Sequence, residues 1–588
     1  MKLVLRFLKP YRRLCGLTIL AMLLDVAGGL IVPRLTADMI NIGIESGSLS
    51  FIIQKGLAML AATLAAGAGA LLGSWLCADL SAKIGKDMRN AVYEKSLTFS
   101  DHDFDQFGTG SMITRTLNDI NIIQQSVVWC IQMVLPVPAV CVMGIAMAFA
   151  VDQVMGFLLI GVTLLIVILA VIVTRRASEI FGRLQRLLDR MNVVLRENLT
   201  GVRVIRAFRK ERDEEERMRK SFEDYAETSI RANLLFAGLE STAFFVINIC
   251  IVAILWFGGN RIGAGYMQIG DITALTEYSI LILFYIIMAQ MVIILLPRAR
   301  VCIRRVSEVL EKEPGILDGQ VNRGEKEFGP AEGLHGEDVV AARFLDVSFR
   351  FPDADEYALK NLSFSCKRGE TTAVIGGTGS GKSTLVQLIG RFYDVTKGRI
   401  KVFGTDVKAY DLQTLREQIG MVPQRAVLFR GTIRENLKVG KEDATDAEMQ
   451  EALKTAQALE VVEGRKEGLD AMVSEGGKNL SGGQRQRLTI ARALVRKPRI
   501  LILDDSASAL DFATDARLRK ALQENTEDMT VFLVSQRVSS LMHADRILVL
   551  EDGEPAGMGT HEELLKSCQV YREICRSQLS EKEVQANG

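Results

Sequence analysis

Long apolar runs fill the first half of the chain and are missing from the second. A membrane-crossing helix needs about 20 mostly apolar residues. Six stretches meet that length, at roughly 15–36, 55–78, 130–151, 154–174, 238–258 and 272–297. The third and fourth are parted only by Asp152 and Gln153, which predicts a tight turn. Ahead of the first span, MKLVLRFLKPYRRLC is basic and amphipathic and predicts a helix lying on a membrane face. It lacks the pattern of a cleavable leader. The polar segments 79–129 and 175–237 contain no proline and predict helical hairpins. Arms of about 25 residues, at 1.5 Å per residue, would extend about 37 Å beyond the membrane. Their tips are expected near Phe107-Gly108-Thr109-Gly110 and near Glu197–Phe208.

From about residue 341 the pattern changes to short β-branched strands alternating with helices, as in ARFLDVSFRF, TTAVIGG, RILILDDS and TVFLVSQ. This is the pattern of an α/β domain. The polar, glycine- and proline-bearing stretch before it reads as a linker. The expected organisation is a membrane domain at 1–311, a linker at 312–340 and a soluble domain at 341–588.

Charge orients this picture. Lys2, Arg6, Lys9, Arg12 and Arg13 precede the first span, and both long polar segments are rich in Lys and Arg. The loops near 43–52, 152–153 and 259–271 contain only Arg261. Basic residues favour the cytoplasmic side, so both termini are expected there, in a multi-pass protein of the cytoplasmic membrane. The 71 basic and 70 acidic residues nearly cancel, and no nucleic-acid footprint is indicated. Nine cysteines form no CxxC pair and read as buried free thiols. The histidines are four: His102, His335, His543 and His561.

The chemistry lies in the second half. Gly376-Gly377-Thr378-Gly379-Ser380-Gly381-Lys382-Ser383-Thr384 fits GxxxxGK[ST], between the predicted strand Thr371–Ile375 and the predicted helix Ser383–Phe392. In that context the glycines let backbone N–H groups close on phosphates, and the helix start adds positive potential. Lys382 is placed to reach the β- and γ-phosphates of ATP, and the Ser383 hydroxyl to ligate Mg²⁺. A second apolar strand, Arg499–Leu503, ends in Asp504, a carboxylate that can hold the same cation.

Between these motifs stands Leu480-Ser481-Gly482-Gly483-Gln484, which resembles the signature of ABC (ATP-binding cassette) transporters. The resemblance continues in order. Phe351 matches the ring that stacks on adenine. Gln424 matches the glutamine that touches Mg²⁺. Glu475 falls in the exporter cross-linking loop, and Ser508-Ala509-Leu510-Asp511 matches the D-loop at the dimer seam. FDQFGTGSMITRTLNDI and ENLTGVRVIRAF resemble the two intracellular loops of exporter-type members. The resemblance implies a membrane α-helical domain with six spans and long intracellular helices, followed by an α/β P-loop NTPase domain of ABC type. In it, Ser481, Gly482, Gly483 and Gln484 clamp the nucleotide of a second half-transporter.

Two positions depart from the family. Asp505 stands where the family has a catalytic Glu. Gln536 stands where it has the switch histidine, and His543, seven residues on, cannot replace it. Gln536 donates a hydrogen bond but lacks the charge and proton handling of imidazole. With an intact loop and signature beside them, both changes imply a heterodimer like the bacterial multidrug exporters. This chain would hold ATP at a weakly hydrolysing site and lend its signature to the partner's site. The expected cargo is a small amphipathic or hydrophobic molecule. A homodimeric ATP-gated binding protein, or a lipid or peptide exporter, remain alternatives. An importer is disfavoured by the fusion of both domains, and a peptidase domain by the short stretch before the first span. Asp25, Glu240 and Glu277 fall in or near spans and are cargo ligands, partners of polar groups such as Asn248 or Gln290, or groups facing a water-filled cavity.

Overall fold

The computed structural model describes residues 2–321, 340–525 and 528–578. Most of the expected linker, 322–339, lies outside these, as do His335 and the Glu240 side chain. The chain forms two compact units, Met1–Thr98 with Phe107–Glu313, and Phe99–Gln106 with Pro314–Gly588.

The first unit is built of helices: α1 (Lys2–Leu8), α2 (Arg12–Asp38), α3 (Leu49–Leu97), α5 (Thr109–Val151), α6 (Gln153–Ala207), α7 (Glu211–Gly263) and α8 (Ile269–Glu311). Between α3 and α5 comes α4 (Asp101–Phe107), most of which belongs to the second unit. Among the described residues six helical stretches are long and apolar enough to cross a membrane: Lys2–Ile44, Leu49–Leu97, Thr109–Val151, Gln153–Val173, Ser241–Gly263 and Ile269–Gln290. Each carries one of the six apolar runs. Small residues let neighbours approach closely, as in other membrane bundles. A Cβ on Gly28 would come within 2.6 Å of Ala66 Cβ, and one on Gly69 within 2.9 Å of the Ala21 carbonyl. The tight turn at Asp152 has a capping origin. Its Oδ1 accepts from Val154 N at 2.9 Å and Met155 N at 3.2 Å, which starts α6. Its Oδ2 accepts from Arg261 Nε at 3.0 Å.

Both hairpin tips differ from expectation. The first turn opens at Thr98, earlier than Phe107, because Asp101–Phe107 winds its own short helix and Gly108, at φ +72°, ends it. The second falls at Phe208–Lys210, since nothing in Glu197–Ala207 stops the helix. The Lys210 amide closes it on Ile205 O at 2.9 Å, with Arg209 at φ +51°.

The second unit holds two main sheets. The antiparallel one contains β1 (Val340–Phe349), β2 (Leu359–Lys367), β4 (Lys397–Val402) and β5 (Thr405–Asp406), in the order β2-β1-β4-β5. The larger contains β3 (Thr371–Gly376), β6 (Ile419–Val422), β7 (Ile500–Asp504), β8 (Thr530–Val534), β9 (Arg546–Glu551) and β10 (Glu554–Gly559). Its order is β10-β9-β3-β8-β7-β6, parallel apart from the β9–β10 edge. β7 and β8 are buried along their whole length, as central parallel strands are. Alternate residues feed separate cores: Leu501, Leu503, Val531 and Leu533 one, Ile500, Ile502, Phe532 and Val534 the other. The carboxyl ends of β3, β7 and β8 therefore share one edge, where ligands bind in open α/β sheets.

Candidate nucleotide-binding site

The phosphate loop leaves β3 and enters α9 (Lys382–Ile389) through Gly381, whose φ of +91° a side chain would strain. Lys382 is nearly buried. Its ammonium donates to the carbonyls of Gly376 at 3.0 Å and Gly377 at 2.5 Å, and lies 3.4 Å from the Ser380 hydroxyl. Burial lowers its pKa, against the opposite pull of Asp505 and Asp504. The Ser383 hydroxyl donates to Asp504 Oδ1 at 2.8 Å. Asp504 closes β7 and is 2 % exposed. Burial raises its pKa, while the Ser383 bond works the other way.

Asp505 follows with φ +45° and its amide on Val534 O at 2.9 Å. Burial raises its pKa too, opposed first by a hydrogen bond from Gln424 Nε2 to Oδ2 at 3.4 Å. One cavity of about 280 Å³ collects Phe351, Thr378, Gly379, Gly381 and Lys382 with Ser383, Thr384, Gln424, Asp504, Asp505 and Gln536. Gly376, Gly377 and Ser380 serve Lys382 from behind. The Phe351 ring stands edge-on to Tyr393 at 5.4 Å.

The signature residues Ser481, Gly482, Gly483 and Gln484 do not line this cavity. They start α11 (Gly482–Leu494), the helix that follows α10 (Asp446–Thr455) and three short helical segments. Ser481 Oγ accepts from Gln484 N at 3.2 Å, and Gln484 Oε1 accepts from Ser481 N at 3.1 Å, a reciprocal capping box. Ser481 and Gly482 are exposed, and Gly483 lies against Ala509 of the D-loop segment. His543 lines a different cavity, of about 480 Å³, beneath α12 (Phe512–Asn525).

Two residues of the site escaped the sequence reading. The Arg537 guanidinium donates to the carbonyls of Ser508 at 3.2 Å, Leu510 at 3.3 Å and Ala507 at 3.4 Å, which joins the switch segment to the D-loop. Its place directly after Gln536 was the available signal. Gln578 accepts from Val538 N at 3.0 Å and donates to Gln536 O at 2.7 Å. It lies 42 residues from Gln536, with no local signal. The polar groups weighed as partners of the intramembrane carboxylates donate to backbone carbonyls. Asn248 donates to Phe244 O at 2.8 Å and Gln290 to Ala170 O at 3.4 Å.

A loop of this geometry on a parallel sheet, joined to six membrane-crossing helices, defines a membrane protein with a fused P-loop nucleotide-binding domain. Residues 15–287 match the ABC transporter transmembrane region and 359–508 the ABC transporter domain. An uncharacterized ABC transporter ATP-binding protein of Mycobacterium tuberculosis is 37% identical over 98% of both chains. YfiB of Bacillus subtilis, described in the same words, is 38% identical over 98% of both. The probable multidrug resistance ABC transporter ATP-binding/permease protein YheI of B. subtilis is 31% identical over 83% of this chain and 82% of its own. The fold matches a bacterial Atm1-family ABC exporter with ATP bound, at TM-score 0.81 and 23% identity, covering 97% of this chain and 100% of that one. The chain belongs to the ABC transporter family and is an ATPase-coupled transporter of exporter-type fold.

Proposed function

We propose that this chain exports small amphipathic or hydrophobic molecules across the cytoplasmic membrane as one subunit of a heterodimer, with both termini in the cytoplasm. Domain limits of 1–311 and 341–588 go with this reading. The observation that carries it is the make-up of the 280 Å³ cavity. Its cradle is complete, with Lys382 buried in the loop and Ser383 paired to Asp504. Asp505 and Gln536 line the same cavity.

The cradle fits Mg-ATP. A Cβ position on Gly377 or Gly379 meets nothing within 4 Å, which leaves the backbone open to phosphate oxygens. Ser383, Gln424 and Asp504 form the all-oxygen donor set that Mg²⁺ prefers. ATP supplies the phosphoanhydride whose cleavage resets the transporter, and Mg²⁺ neutralises its charge. Phe351 offers a ring to the base. Lys382 exchanges loop carbonyls for phosphate oxygens. Asp505 is one methylene shorter than Glu, so its carboxylate sits about 1–1.5 Å further from the position of an attacking water. Misplacement of that size costs about 100-fold in rate. Gln536 donates a neutral hydrogen bond in place of imidazolium. The site thus binds ATP and turns it over slowly, while Ser481–Gln484, led by exposed Ser481 and Gly482, serve the partner's nucleotide.

Native mass spectrometry of the purified complex tests the stoichiometry, and a lone homodimer would sink the claim. In the heterodimer, Ser481→Arg is expected to abolish most ATPase activity, whereas Asp505→Ala leaves most of it. Complete loss with Asp505→Ala would contradict the asymmetry. The name of YheI supports the cargo class, which competitive transport of amphipathic dyes checks.

A further inference from the structure

The first unit contains a cavity of about 1000 Å³, apart from the nucleotide site. Its walls come from α1, the start of α2, the middle of α5, Arg175 within α6, and the later part of α8. Aliphatic side chains such as Leu5, Ile19, Ile131 and Leu296 line it. Among the described residues its charged lining side chains are Lys2, Arg175 and Arg300, with no carboxylate beside them. All three are exposed.

Chain parity puts these three on one membrane face. Lys2 opens the first spanning stretch, Arg175 follows the fourth and Arg300 follows the sixth. The start of an odd span and the end of an even span share a side, the one from which residue 311 leads to the ATP-binding unit. The cavity is therefore an apolar chamber at one leaflet with a cationic mouth at headgroup level. Its volume is at the top of the range of about 300–1,000 Å³ for ligand sites. Long basic side chains keep their heads at the interface while their stems cover apolar surface. Basic pockets between membrane helices on such a face receive acidic headgroups.

We propose that this cavity holds an anionic phospholipid of the adjoining leaflet, with its acyl chains along the aliphatic wall and its phosphate among Lys2, Arg175 and Arg300. The lipid fastens α1 to α5 and α8, elements that enclose the cavity together. This inference rests on the six spans and not on cargo, direction or subunit composition.

The test places the full-length transporter in nanodiscs of equal phosphatidylglycerol and phosphatidylcholine, extracts it into mild detergent and counts retained lipids by native mass spectrometry. Wild type is expected to retain phosphatidylglycerol over phosphatidylcholine by about tenfold or more. Lys2→Gln, Arg175→Gln and Arg300→Gln each lower that preference about fivefold, the effect of one interfacial cation. Ile131→Trp, which fills the chamber, lowers retention of both lipids. ATP binding by each variant reports an intact fold, and the three charge variants suffice if Ile131→Trp does not fold. Equal retention of both lipids, or an unchanged preference in the charge variants, overturns the proposal. So does full displacement of phosphatidylglycerol by equimolar oleate, which would mark a free anionic amphiphile as the occupant. Cross-linking of Cys130, which lines the cavity, to a second protein chain would equally overturn it.

Discussion

Asp505 holds a left-handed backbone at φ +45°, with the Gln424 amide 3.4 Å from its carboxylate. The strand end beside it is already satisfied, since Asp504 takes the Ser383 hydroxyl at 2.8 Å. In the proposed scheme, reach is what limits Asp505. Asp505→Glu is expected to raise turnover at this site about 10- to 100-fold, and more when combined with Gln536→His, read as single-turnover hydrolysis in a heterodimer whose partner site is blocked. Arg537 acts through another segment. Its guanidinium holds the carbonyls of Ala507 and of Ser508 and Leu510 in the D-loop, and hydrogen bonds from a charged donor contribute about 1.5–3 kcal/mol each when lost. Arg537→Ala is expected to lower kcat of the complex about tenfold and to leave ATP affinity within twofold. A parallel loss of ATP binding would mark a general loosening of the fold.

At the scale of elements, α5 and α8 are joined through a widened helical turn at Arg115–Asp119. Asp119 is 2 % exposed and lies 3.3 Å from Arg305 Nε, with the Cys302 thiol at 3.6 Å. Arg115 reinforces the joint by donating to Arg305 O at 2.6 Å and Glu308 at 3.0 Å. Removing one partner of a buried pair costs about 3–5 kcal/mol. Arg305 is partly exposed, so about 2 kcal/mol is the expected loss for Asp119→Ala, seen as a lower thermal midpoint in detergent. In the second unit, α13 (His561–Ser567) and α14 (Gln569–Gln578) meet through His561 Nδ1 and Tyr571 OH, 2.7 Å apart. Burial holds the His561 pKa below its ordinary 6.5. The unfolded chain therefore binds this proton at higher pH than the folded one. The stabilisation is complete above about pH 6.5 and is lost as pH falls through the folded pKa. Chemical denaturation is expected to show lower stability at pH 5.5 than at pH 7.5, and His561→Gln to flatten that difference.

For the whole molecule, the arrangement of six spans carries a topological expectation. Tyr266, 66 % exposed in the turn between α7 and α8, labels as Tyr266→Cys from outside intact cells, while a C-terminal tag yields to protease only in inverted vesicles. Labelling on the same side as the tag would reverse the orientation. The turn after α3 folds with the second unit, where Asp103 is 1 % exposed and its Oδ2 accepts from Gly315 N at 2.8 Å. The six spans, the phosphate loop, the strand-end Asp504 and the signature were legible from residue order. Span length, strand burial and loop geometry are properties of contiguous residues, and a Gly-rich turn between strand and helix binds phosphate with its own backbone. Partnerships across the chain were not legible. Gln424 meets Asp505 over 81 residues, Gln578 braces Gln536 over 42, and Asp103 reaches Gly315 over 212. No local pattern encodes such pairs, because each exists only once the parallel sheet and the packed helices bring distant ends to one edge. Residue order by itself determined which chemical groups this transporter carries; tertiary structure decided that Asp505 answers to Gln424, that Arg537 holds the D-loop, and that three scattered cations share one apolar chamber.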